Sequence, residues 1–251
     1  MSKSRRVWIF VTIIFIAIIL SSFVFGKRVF SYDTKIAHPS IVTIAALQYN
    51  KNYDTDLTLE EINWLSQGAV EEDMPTRWLN HFYDPIYNKG LNSGDYPTAK
   101  DWSRMTNFQT TFALGDQTWY RAIDYFKKGD RKKAFIALGH TLHLIADMSV
   151  PAHTRDDAHP TGDSYEQFVK NNWYSVAKFT GGFEKKQVNS LDEVFDAVAN
   201  YSNNNFYSDD TIESGKYKTI KIKRFELDDS GKIAFAVSDD DRFVFAVNVD
   251  N

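Results

Sequence analysis

Between Ser40 and about Asn205 the apolar residues recur at the three-to-four-residue spacing of helices that bury one face. Ile41 to Tyr49 (IVTIAALQY) is the first such run. Thr58 to Glu61 forms a capping-box pattern ahead of INWLSQGAV, because the threonine hydroxyl and the glutamate carboxylate can satisfy orphan backbone donors reciprocally. The spacing predicts one long helix from Thr98 to Lys128, stopped at Gly129, and another from Asp130 to just before Pro151. Helices are also expected at Ser164 to Phe179 and at Ser190 to about Asn203, the latter opened by a second capping-box pattern, Ser190 to Glu193.

The period then changes from helical to alternating. From Lys216 the chain reads KYKTIKIKRFEL, turns at Asp228 to Gly231, continues through IAFAV, turns at Ser238 to Asp241 and ends in RFVFAVNV. Three short alternating runs joined by polar turns predict a β-meander.

Ahead of all this, Lys3, Arg5 and Arg6 precede Val7 to Phe25, a stretch without charge that is long enough for a membrane span or a signal peptide. No convincing small-x-small cleavage site follows, so an uncleaved anchor is the expectation, with secretion the alternative if Ser21 and Ser22 permit cleavage. The flanking cations place the N-terminus in the cytoplasm and the rest outside. The expected organisation is residues 1–26 as anchor or signal, 27–210 as a mainly α domain, and 211–251 as a β appendage.

Composition narrows the chemistry. The chain has 251 residues, no cysteine and a formal charge of −4, and without the three N-terminal cations the remainder stands at −7. Thiol nucleophiles, thiolate metal sites and iron–sulfur clusters are excluded, and a polyanion-binding surface is disfavoured. Any metal must be held by histidine, carboxylate or backbone oxygen.

The densest set of such donors is GHTLHLIADMSVPAHTRDDAHPTGDSYE, Gly139 to Glu166. On a helix His143 and Asp147 share a face, with His140 one turn earlier. After Pro151 ends the helix, His153 can turn back toward the same space, and His159, Asp163 and Glu166 approach from the following loop and helix. A His and an Asp four apart are more often a hydrogen-bonded pair than ligands. The conjunction of at least five donors with the neighbouring HFYDP is what raises zinc above that reading.

On these motifs the chain resembles the zinc-dependent phospholipase C family, whose all-α fold is shared with the single-strand-specific zinc nucleases. The family's His, Asp four later, Pro, and His six after that Asp correspond to His143, Asp147, Pro151 and His153. Asp73 in GAVEED, His81 in NHFYDP, His38 in AHPSIV and Glu166 in DSYE complete the pattern over Ala37 to Val169. The resemblance implies two or three zinc ions: one on Asp73, His81, His143 and Asp147, a second on His153, Glu166 and a further ligand, and a third on His38 and Asp147. Relatives complete that third site with an N-terminal Trp, and this chain has none between Trp8 and Trp64. Relatives also carry a His four before the Glu, where this chain has Gly162. His159 is the preferred substitute, and Asp163 the other candidate.

Asp73 is further expected to orient or deprotonate the attacking water. His140 is expected to be a buried hydrogen-bonding support, and Trp78, Phe82 and Tyr83 could line a headgroup pocket. The leading expectation is an extracytoplasmic phosphodiesterase acting on phospholipids, held at the membrane by its N-terminal segment and without specific nucleic-acid binding. A nuclease or nucleotidase of the same fold, and a zinc-stabilised binding domain without catalysis, are the alternatives.

Overall fold

In the computed structural model, the described residues are 36–159, 162–177, 187–212, 214–227, 231, 233–241 and 243–248. The apolar stretch Val7 to Phe25 lies outside them, and among the described residues no helix is long and apolar enough to cross a membrane. The fold is mainly α with a small antiparallel sheet at its C-terminal end.

Helix α1 spans Ala37–Tyr53 and α2 spans Leu59–Glu71. The capping box opens α2: Glu61 N–H donates to Thr58 Oγ1 at 3.2 Å, and Thr58 N–H donates to Glu61 Oε2 at 2.9 Å. Short helices α3 (Ala99–Trp102) and α4 (Thr106–Gln109) follow, then α5 (Trp119–Lys127) and α6 (Arg131–Asp147). The expected continuous helix from Thr98 to Lys128 is therefore three pieces. Leu114 and Gly115 take left-handed backbone, with φ of 69° and 66°, which a helix cannot accommodate. Asp116 then accepts from Thr118 N–H, and Thr118 Oγ1 accepts from Arg121 N–H at 3.2 Å, so a new cap starts α5.

After α7 (Pro151–Thr154), α8 runs Ser164–Ala177 and α9 runs Leu191–Asn205. The expected end of α8 near Phe179 lies outside the described residues. At α9 only half of the second capping box forms, because Glu193 Oε2 accepts from Asn189 N–H instead of the cap residue. The strands are β1 (Ile222–Leu227), β2 (Ile233–Ser238) and β3 (Phe243–Asn248), in the order β1-β2-β3. Lys216 to Ile220 does not join β1 as the alternation suggested. Tyr217 is buried there, its hydroxyl donating to Asp84 Oδ2 at 2.8 Å.

Helix α6 organises the core. Phe135 packs with Val42, Ile62, Leu65 and Ala69 on one side, while Leu144 and Met148 join Trp102, Tyr83 and Phe195 on the other. Its contact with α2 is unusually close. A β-carbon added at Gly139 would lie 2.1 Å from Leu65 O, and one added at Gly68 would lie 2.0 Å from Ile136 O. These two glycines let the backbones touch. The sheet is seated on the helices by Phe168 against Phe235 (ring centroids 5.0 Å) and by Tyr207 N–H donating to Val244 O at 2.8 Å.

Candidate metal centre

Because α6 is covered on nearly every face, its His140, His143 and Asp147 are all buried. Polar groups placed there must find partners inside the protein. The close approach of α2 brings Ala69 O to 2.6 Å from His143 Nδ1, so that nitrogen carries the proton and Nε2 presents its lone pair inward. His81, at the end of a 3₁₀ turn (Arg77–Asn80), is fully buried opposite.

Two donor groups meet there and share His143: Asp73 with His81, and Asp147 with His38. His81 Nδ1 lies 2.9 Å from Asp147 Oδ2, 3.3 Å from His143 Nε2 and 3.8 Å from Asp73 Oδ1. His143 Nε2 lies 3.2 Å from Asp147 Oδ2 and 3.5 Å from Asp73 Oδ1. A tetrahedral zinc with bonds of about 2.0–2.1 Å requires ligand-to-ligand edges of ~3.3 Å, and these five separations straddle that value. Asp73 Oδ2 is buried and makes no hydrogen bond among the described residues. Donor identity, spacing and this unsatisfied oxygen fit a divalent cation.

A further group adjoins them. His153, His159 and Glu166 converge, with His153 Nε2 at 3.5 Å and His159 Nε2 at 3.8 Å from Glu166 Oε1. His159 can reach this point because the chain reverses at Gly162 (φ 109°), whose N–H donates to His159 O at 3.0 Å. A histidine at 162 would meet a backbone conformation that favours glycine. His153 Nδ1 is 3.1 Å from His81 O, and His159 Nδ1 is 2.9 Å from Asp157 O, which turns both Nε2 atoms toward Glu166. Asp163 is not in this group. It caps α8, accepting from Glu166 N–H at 2.9 Å through Oδ1.

The remaining group is His38, His143 and Asp147. His38 Nε2 lies 3.3 Å from Asp147 Oδ1, and the ring stacks on His143 with centroids 3.8 Å apart. Asp147 thus faces every part of the centre, with Oδ1 also 3.6 Å from His153 Nδ1.

Electrostatics follow from burial. Burial disfavours the charge of Asp147, but the surrounding histidines outweigh it and hold the carboxyl well below the ordinary aspartate range. Burial opposes the cationic form of His81 too, yet the Asp147 carboxylate and Glu72 push it up to about 10. Metal-free, the centre therefore retains protons that a cation would displace. Burial dominates at Asp73, whose carboxyl is raised.

Glu72 is a member that the motifs do not single out. Fully buried, it accepts from Arg77 Nε (2.9 Å) and Trp102 Nε1 (2.6 Å), contacts His140 Nδ1, and sits 3.6 Å from His81 Nε2. Burial works against its charge, but Arg77, His140 and His81 keep it well below the usual carboxylate range. It faces the far side of the His81 ring as a charge partner, the place that outer carboxylates take beside metal-bound histidines. The signal for it was the buried His140, which needs an anionic or carbonyl partner one helix away.

Of the aromatics next to His81, Phe82 is buried and stacks on His153 at 4.6 Å. Tyr83 belongs to the helical core, its hydroxyl donating to Asp196 Oδ1 at 2.6 Å, and Trp78 is half-buried with its carbonyl accepting from His81 N–H.

The family model described as zinc dependent phospholipase C matches residues 37–229. The match continues past Val169, where the motif pattern stops, through α9 and β1. A comparison with curated proteins found no match.

Proposed function

We propose that this chain, which belongs to the zinc-dependent phospholipase C family, hydrolyses the headgroup phosphodiester of phospholipids outside the cytoplasm. The observation that carries the reading is the convergence of three largely buried donor groups, two of which share His143: Asp73, His81 and His143, then His38, His143 and Asp147, beside His153, His159 and Glu166. Asp73, His81, His143 and Asp147 would hold one ion and His153, His159 and Glu166 a second, with His38 and Asp147 available to a third. Bound zinc supplies a Lewis acid for a phosphoryl oxygen and lowers the pKa of a coordinated water to about 7.

The chain's own groups do the rest. Asp73 is the one member of its group whose residue is not fully buried, although its carboxylate is enclosed with the histidines. Its Oδ2 makes no hydrogen bond among the described residues, which leaves a carboxylate oxygen available to a bound cation or to a water held by one. Ala69 O fixes the ring of His143 and Glu72 sets a negative charge behind that of His81, which favours keeping both donor atoms in place while substrate exchanges.

The test is release of phosphorylated headgroup from choline, ethanolamine and glycerol phospholipids, with and without chelator, beside single-stranded DNA and RNA under the same zinc conditions. Chelator-sensitive headgroup release is expected. Nucleic-acid cleavage without any headgroup release would replace this reading with the nuclease one.

A further inference from the structure

The turn between α5 and α6 concentrates positive charge on a molecule that is otherwise acidic. Lys127, Lys128, Arg131, Lys132 and Lys133 fall within seven residues of a chain whose net charge is −4, and all five are exposed. Lys128 pairs with Asp124 and Lys133 with Asp130, both at 2.8 Å, while Arg131 reaches Glu61. Lys127 and Lys132 make no ion pair among the described residues.

Amid these cations stands an apolar feature. Phe126 is 52% exposed, with the Arg131 guanidinium 5.3 Å from its ring centre. Beside it runs a groove of about 220 Å³ lined by Trp119, Ile123, Phe126, Phe135 and Leu138, with almost no polar surface. This is not the metal centre, none of whose donor residues lines the groove.

We propose that the α5–α6 turn docks on an anionic phospholipid bilayer, Phe126 entering the boundary between headgroups and acyl chains while Lys127, Lys128 and Lys132 face lipid phosphates. Charge complementarity selects the sign of the surface. The exposed ring and adjoining groove select a lipid over a dissolved polyanion, which would neutralise the lysines and leave the apolar surface in water. Because the rest of the protein is acidic, the same field that attracts the turn repels the other faces, so docking sets an orientation. The inference holds whether or not the metal centre is catalytic.

The absence of cysteine makes a direct test available. Full-length Phe126→Cys carries an environment-sensitive fluorophore and is reconstituted into vesicles that are either wholly zwitterionic or about one-third anionic lipid. Tyr201→Cys, at an exposed position on α9, is the reference. A blue shift at 126 in the anionic vesicles alone is expected, with none at 201. High salt should abolish it, as should Lys127→Glu with Lys132→Glu. Equal emission at 126 in both vesicle types overturns the proposal even if the N-terminal segment tethers the protein to each. So does a shift produced by an oligonucleotide and not by anionic vesicles, which would make the turn a polyanion site.

Discussion

Replacing Gly139 by alanine tests whether the α2–α6 contact sets the metal centre. The new methyl would sit 2.1 Å from Leu65 O, against an ordinary non-bonded separation of about 3.5 Å, so α2 must retreat by roughly 1 Å. The Ala69 O to His143 Nδ1 distance of 2.6 Å would then reach the limit of a hydrogen bond. Alanine's helix propensity gives back about 1 kcal/mol. Overpacking costs about 1–3 kcal/mol and the lost hydrogen bond about 1 kcal/mol, leaving a net loss of about 1–3 kcal/mol. For a domain of this size that lowers Tm by roughly 3–10 °C. Zinc affinity should fall by about 10- to 100-fold, because His143 loses the carbonyl that orients it. Thermal unfolding with and without chelator, plus competition for zinc with a chromophoric chelator, measures both effects. Gly215→Ala is the control, since a β-carbon there meets nothing within 4 Å. An unchanged Tm together with unchanged zinc affinity for Gly139→Ala would refute the reasoning.

Glu72→Gln keeps the shape of the outer carboxylate but removes its charge; zinc competition should show about 10- to 100-fold weaker binding, and undiminished affinity would rule Glu72 out as a support for His81. Tyr217→Phe deletes the donor to buried Asp84 and should cost about 1–3 kcal/mol in urea unfolding, whereas a cost below about 0.5 kcal/mol would show that the hydrogen bond does not tie this segment down. Burial raises the Asp163 carboxyl to about 6 despite the opposing pull of His159. A raised folded value means its contribution is fully favourable below pH ~4 and is lost as pH rises through ~6. In metal-free protein Asp163→Asn should therefore raise Tm relative to the parent at pH 7.5 and change it little at pH 4; a difference that ignores pH would contradict the burial argument.

The residues of the centre were legible because their spacing reflects geometry that the helix itself imposes. His143 and Asp147 share a face wherever a helix forms, and Pro151 forces the turn that returns His153. The His159 substitution was readable from the loop's supply of donors once Gly162 was noticed. Glu72 was not, since what separates it from its neighbour Glu71 is burial against Arg77, Trp102 and His81, contacts that only the folded chain makes. The long helix through Leu114 was misread because no proline marks the break: the interruption is a left-handed pair stabilised by Asp116 and Thr118 beyond it and by Arg77 bonding Ala113 O and Gly115 O at 3.3 Å. Adjacency to a ligand left the direction of Tyr83 open, because on an irregular segment sequence position does not say which way a side chain points; it packs in the helical core.

The buried Arg155, two residues after His153, is held by Asn203 O at 2.6 and 3.0 Å, by Thr211 Oγ1 at 3.2 Å and by Lys218 O at 3.2 Å, between the rings of Tyr207 and Tyr217. Every one of these partners is made 48 to 63 residues later than Arg155 itself. A nascent chain that has released α6, the His153–His159 loop and Glu166 at the start of α8 has all the candidate ligands but nothing to close around Arg155. Long-range contacts of this kind form only after the loop-closure entropy has been met. The loop that carries His153 and His159 is thus clamped by segments that follow it by dozens of residues, which ties the shape of the centre to the end of α9 and the stretch leading into β1.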